Sequence, residues 1–197
     1  MTATGTSLGA ATRLALLLAT LLVTLTACEA PADDAGNAGN AGDDGAPAVV
    51  TDALLDALTE AQALHHAADR QLAAGDRAAA AASVARVLEV RFPSGATDGD
   101  DVLLDARARL ARLHLAAGEV AAALTVIDAG LTAPRESFFL GNLHMVAGEA
   151  HVAHADTLRA TDAVAADHEL RAGLRAYERS IAIMARVQQR ILEENRR

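Results

Sequence analysis

From Val49 onward, apolar residues recur at steps of three and four, the spacing of one face of an α-helix, and nowhere sustain the alternation of a strand. Leu54, Leu58, Ala61, His65, Ala68 and Leu72 form one stripe, and Ala80, Val84, Val87 and Leu88 a second. A third runs through Leu103, Ala106, Leu110 and Leu113, and a fourth through Val120, Ala123, Leu124, Ile127 and Leu131. Gly75 and Gly118 suit helix C-termini, Pro93 and Pro134 stop continuation, and Asp100 or Asp101 is expected to cap the helix that follows. The predicted fold class is all-α.

Two of the predicted turns are copies of one another. Leu72–Ala80 (LAAGDRAAA) aligns with Leu115–Ala123 (LAAGEVAAA), each with a helix on either side and a proline beyond. The offset from Gly75 to Gly118 is 43 residues. This arrangement resembles the tetratricopeptide repeat family, whose unit of about 34 residues is a helix–turn–helix with small residues at the helix contact and a late proline. Ala68 and Ala111 match the small contact residue, Gly75-Asp76 and Gly118-Glu119 the turn, Ala80 and Ala123 the small residue early in the second helix, and Val84 and Ile127 the bulky position after it. Leu64 and Arg107 stand where the family has early aromatic anchors, and the longer offset places an insertion at Phe92–Asp101. A degenerate third unit is expected from Phe138 to the end, with Gly148 as its contact residue, a turn at about Asp156–Asp167, and Leu174, Tyr177 and Ile181 on its second helix.

The resemblance implies stacked antiparallel helix hairpins, about three pairs in an α-solenoid, with a long C-terminal helix. An ordinary antiparallel bundle is the other arrangement such hairpins can adopt. The solenoid would present a concave groove to protein or peptide partners, with contacts from the first helix of each pair: Arg70, Arg109, Arg112, Asn142 and His144.

The last helix carries its own pattern. Leu170, Leu174, Tyr177, Ile181, Met184, Gln188 and Ile191 step four, three, four, three, as a heptad seam does. One reading is a homodimer through the 170–191 helix, with Gln188 as a polar register residue. The other, preferred here, is a capping helix whose stripe covers the preceding hairpin.

Upstream of the helical region the chain changes character twice. Residues 1–27 have a signal-peptide layout: Arg13, the apolar run Leu14–Leu25, then small residues. The run has 12 residues, too short for a bilayer span of about 20. Leu25-Thr26-Ala27-Cys28 resembles the lipobox of bacterial lipoproteins, which implies cleavage before Cys28 and a diacylglycerol thioether on the only cysteine. Residues 28–48 are Gly/Asn/Ala-rich and carry five carboxylates with no basic residue, a composition that cannot bury a core. They read as a tether, leaving residues 49–197 as the folded domain. The expected location is the bacterial cell envelope, periplasmic or outer surface, on whichever membrane holds the lipid.

Composition narrows the function classes. All 17 basic residues are arginine, and a net charge of −9 argues against nonspecific binding to nucleic acid. The sequence holds no Gly-rich phosphate loop, Gly-x-Ser-x-Gly elbow or His-Glu-x-x-His. Asp98-Gly99-Asp100-Asp101 lacks the ligand spacing and closing Glu of a calcium loop. His144, His151 and His154 share one predicted helix, the basis of an alternative reading in which a helical bundle binds a metal or small ligand. The Glu-x-x-His pair of helical metal bundles is absent, because Val152 follows three residues after Glu149. The expectation is therefore a non-enzymatic, lipid-anchored scaffold with no cofactor beyond its acyl chains.

The anchor has a direct test. Cys28→Ser should accumulate as uncleaved precursor and lose acyl-lipid labelling; a variant that matures and fractionates with membranes as wild type does would refute the lipobox reading.

Overall fold

The computed structural model describes residues 50–133 and 135–197; the expected leader and tether, Cys28 and Pro134 lie outside the described residues. Six α-helices and no strand occur among them. Local chemistry sets most of the helix ends. Thr51 starts α1 (Asp52–Ala73) by accepting from the Leu54 N–H at 3.2 Å. Gly75 ends it at φ +82°, a conformation that costs a residue without Cβ little. Asp76 then caps α2 (Arg77–Val87), accepting from the Ala79 N–H at 2.9 Å.

The second hairpin repeats this scheme with one change. α3 (Thr97–Ala116) ends at Gly118, φ +78°, and α4 (Val120–Asp128) follows. Glu119 stands where Asp76 stood, but its longer side chain makes no cap hydrogen bond. It reaches back instead to His114 Nδ1 at 2.6 Å. In the third pair, Ser137 caps α5 (Phe138–Leu158) and Asp162 caps α6 (Ala163–Glu194).

Two boundaries differ from expectation. α3 begins at Thr97 with Ala96 as an N-cap that makes no side-chain hydrogen bond, so Asp100 and Asp101 lie inside the helix and do not cap it. In its first turn Gly99 lies under Phe92, where a Cβ would come 2.5 Å from the ring. Asp101 instead ion-pairs with Arg135 at 2.7 Å. The broad turn expected at 156–167 shrinks to Arg159–Asp162, because α5 continues to Leu158 and the Asp162 side chain restarts helix by accepting from the Ala165 N–H at 2.9 Å.

Packing follows chain order. α1 pairs with α2, α3 with α4, and α5 with α6. Between pairs, α3 touches α1 and α2, and α5 touches α3 and α4; among the described residues no other helices pack together. One core cluster joins Ala61, Ala68, Ala80 and Val84 to Ala106 and Leu110 of α3. A second joins Leu104, Ala108 and Ala111 of α3 to Ala123, Ile127, Leu143 and Ile183. α3 thus buries two faces, one for each cluster.

The stripes are legible but rotated. α1 buries Leu54, Ala57, Ala61, Leu64 and Ala68, leaving Leu58, His65 and Leu72 half-buried at its edge. α6 departs further. It packs on α5 through Ala166, Gly173, Ser180, Ile183 and Val187, while Leu170, Leu174 and Ile181 of the expected seam are exposed by 40, 59 and 69%. Small residues win this contact because the helices approach closely. A Cβ on Gly173 would lie 3.2 Å from the Gly148 carbonyl oxygen, and one on Gly148 would lie 2.5 Å from the Tyr177 ring.

That approach sets the sign of a substitution. Gly148→Ala gains helix propensity, about 0.5–1 kcal/mol, but must displace the half-buried Tyr177 ring, and overpacking of this kind costs about 1–3 kcal/mol. Urea titration should show Gly148→Ala destabilised, and the same change made in a Tyr177→Ala background should be stabilising by up to about 1 kcal/mol.

Candidate functional site

The first helices of the three pairs carry a row of charged residues that reach across the hairpin boundaries. α3 supplies both arginines. Arg109 ion-pairs with Asp69 of α1, and its other terminal nitrogen lies 3.2 Å from His65 Nδ1. One turn on, Arg112 donates to both carboxylate oxygens of Glu149 on α5 at 3.2 Å and to Asn142 Oδ1 at 3.3 Å. Arg109 and Arg112 therefore join α3 to both neighbouring first helices.

This arrangement holds three of the five residues expected to contact a partner. Arg109, Arg112 and Asn142 have intrachain ligands, although Arg112 and Glu149 keep roughly two-fifths of their side-chain surface exposed. Partly exposed pairs of this type are worth only about 0–1 kcal/mol, so a partner carboxylate can compete for the guanidinium groups. Arg70 is exposed and makes no hydrogen bond or ion pair with the described residues. His144 is half-buried: burial, with the Arg179 cation adding to it, holds its imidazole below the ordinary range.

The histidines separate. His151 and His154 on α5 converge on Glu169 of α6, with Nδ1 atoms 2.7 and 3.3 Å from the same Oε2. Burial raises the Glu169 pKa, but the two imidazoles outweigh it and leave the carboxyl below its ordinary value. His144 lies seven residues before His151, about 10 Å along the helix, and does not join them. Among the described residues, no group of three His, Cys, Asp or Glu side chains is arranged to hold a metal ion. Glu149, which neighbours the histidines in sequence, belongs to Arg112 on another helix.

Sequence reasoning missed the partners that give these residues their setting. Asp69, Glu149 and Glu169 are unremarkable surface carboxylates by local pattern; only the register between helices brings them to Arg109, Arg112 and the histidine pair. Glu136, ahead of α5, is another such residue. It accepts from Arg186 Nε at 2.8 Å and Nη2 at 2.7 Å, which holds its carboxyl below the usual range.

Elsewhere the surface offers little enclosure. An open groove of about 590 Å³ lies between the start of α1 and the end of α2, lined by Asp56, Glu60, Arg86 and Glu89 among others. No helix among the described residues is long and apolar enough to cross a membrane. No protein-family model, curated protein or solved structure matches the chain.

The half-buried His65 and His144 set a pH dependence. Burial, reinforced by Arg109, lowers the His65 pKa, just as burial and Arg179 lower that of His144. Near pH 6.5 the unfolded chain takes up protons that the folded chain resists, so folding stability is complete above this value and falls as pH drops through it. Glu136 and Glu169, whose pKa values are also lowered, extend the loss below the ordinary carboxylate value of 4.5. Thermal melts between pH 7.5 and 5.5 should show a declining Tm that flattens in the His65→Gln, His144→Gln double variant.

Proposed function

We propose that this chain is a lipid-anchored, non-enzymatic scaffold of the bacterial cell envelope, holding protein or peptide partners against the first helices of tetratricopeptide-like hairpins. The observation that supports this reading is the packing order: each helix touches its own hairpin partner, every helix but α6 also touches a neighbouring hairpin, and no contact skips a pair among the described residues. Nearest-neighbour stacking is the property that lets repeat proteins present an extended surface. The copied turns at Gly75 and Gly118, both at positive φ, support the same reading.

Binding specificity on such a surface would come from Arg109 and Arg112. Each presents a fork of donors that matches a carboxylate, and each is already placed by an acidic neighbour. A partner with acidic side chains would exchange one carboxylate for another at α3. The shortage of aromatic residues, 2% of the chain, leaves few apolar anchors on this face and makes charge the main recognition element. Cys28 would supply the acyl anchor, and the acidic segment behind it would hold the domain off the membrane.

For the metal alternative, His151 and His154 converge on Glu169 while His144 lies apart from them.

Charge reversal tests the groove. Photo-crosslinking from Asn142 in intact envelopes should trap a discrete protein partner, and Arg109→Glu with Arg112→Glu should reduce that adduct by roughly tenfold or more, as expected when a charged contact worth more than 1.4 kcal/mol is removed. Arg171→Glu, on α6, should leave it intact. An adduct indifferent to the α3 reversals would reject the groove assignment.

A further inference from the structure

We infer that the exposed stripe of α6 is a self-association surface, on which a second copy of the chain packs its own α6 antiparallel about a twofold axis near Ile181. The stripe is distinct from the face that packs on α5. At about 100° per residue, Leu170, Leu174, Ile181 and Leu192 fall within roughly 40° of one another, and their direction lies roughly 110° from that of the buried row. They are exposed by 40, 59, 69 and 50%, which leaves a line of large aliphatic side chains in water along one helix. Gln188 falls in the same stripe between Ile181 and Leu192, and several large aliphatic side chains exposed on one side of a helix are what an interaction site offers.

The end of the helix gives a second reason. α5 and α6 run antiparallel with Gly148 beside Gly173 and Gly141 beside Met184, so α5 runs out opposite about Arg186. Every residue from Gln188 to Arg197 is exposed. Ile191 continues the side that α5 covers further back, yet it is 42% exposed because nothing lies over it. About two turns of helix therefore project past the hairpin with no packing from α5.

Charge placement selects the occupant and its direction. In an antiparallel pair centred near Ile181, Leu170 of one copy meets Leu192 of the other, and Ile181 meets its own equivalent. On the flank away from α5, the ion-paired Arg171 and Asp167 of one copy lie beside Glu193 and Arg196 of the other and Arg175 lies beside Gln189, while Gln188, inside the stripe, meets Leu174. Glu193 lies at equal distance along the axis from Asp167 and Arg171, and with Arg196 beside Asp167 the attractive appositions on this flank outnumber the repulsive one. A parallel pair would turn this flank toward the side of the partner helix that α5 covers. The overlap from Leu170 to Leu192 is about 33 Å long, and each copy's projecting turns would lie beside the first half of the partner's α6. An isologous contact of this type closes on itself. It uses no residue of the Arg109–Arg112 face, so it stands or falls separately from partner binding there.

Cysteine crosslinking of the full-length chain in isolated envelopes tests it, with wild type and the exposed α1 variant Leu55→Cys as controls for reaction through Cys28. Mild oxidation should convert Ile181→Cys to a covalent dimer at least about tenfold more efficiently than Leu55→Cys, because the axis holds the two thiols together at high effective concentration. Co-expressed, differently tagged Leu170→Cys and Leu192→Cys chains should crosslink to each other in preference to themselves. Adding Arg171→Glu to the Leu170→Cys chain should weaken that mixed crosslink, and adding Glu193→Arg to its Leu192→Cys partner should restore it. Ile181→Cys dimers no more abundant than the Leu55→Cys background would overturn the proposal, as would Leu170→Cys chains that crosslink mainly to one another.

Discussion

Close approach between helices through alanine and glycine is the constraint on which this structure depends. With one tyrosine, three phenylalanines and no tryptophan, the chain lacks the large side chains that fill space between well-separated helices. It brings the helices together instead. Ala68, Ala80, Ala106, Ala111, Ala123 and Ala150 are all fully buried, and the largest fully buried side chains are no bigger than Ile127, Leu143 and Ile183. Dispersion is gained only where surfaces touch, so an alanine face must meet its neighbour closely to contribute at all. α3 shows the consequence most clearly: because its contact residues are small, two opposed faces of one helix can each enter a core cluster.

This economy explains which parts of the fold could be read from sequence. The copied turns were legible because a left-handed glycine followed by an acidic residue is a local chemical instruction, and both Gly75 and Gly118 obey it. Stripe membership was legible to within one helical position. In α1 the spacing argument chose Leu58 and His65, while the chain buries Ala57 and Leu64 and leaves the other two at the margin. Spacing identifies a face only to within the width of a side chain, and where contacts are made by alanine the larger neighbours sit at the rim.

α6 is the extreme case. The heptad spacing groups Leu170, Leu174 and Ile181 with Tyr177 and Met184 as one stripe, either a dimer seam or a face that covers the preceding hairpin; Tyr177 and Met184 do lie against α5, beside Gly148 and Gly141, and the three aliphatics do not. The row of Ala166, Gly173, Ser180 and Val187, equally periodic at seven residues, was the one that packs on α5. Two periodic faces on one helix are indistinguishable by period; the decision belongs to α5, where Gly148 admits the Tyr177 ring and leaves no room for a leucine row. The charged positions were less legible still. Arg109 and Arg112 could be placed on one helix by counting, but Asp69 and Glu149 lie 40 and 37 residues away and are brought to them only by the stacking of hairpins.

The same stacking ties the charges to the shape of the surface. Arg109 reaches backward to α1 and Arg112 forward to α5, so the two pairs span successive hairpin boundaries. Such pairs add little stability because they remain partly in water; their geometric effect is larger than their energetic one. A ligand that captured either guanidinium would exchange one of these boundary contacts for its own. On the proposed reading, a partner bound at the α3 face would therefore act on both hairpin boundaries through the same two side chains. The core clusters limit how far that coupling can go: alanine contacts tolerate small slides between helices but no separation, since a gap of even 0.5–1 Å forfeits about a quarter to a half of the attraction. The array can bend at its arginines only as far as its alanines stay in touch.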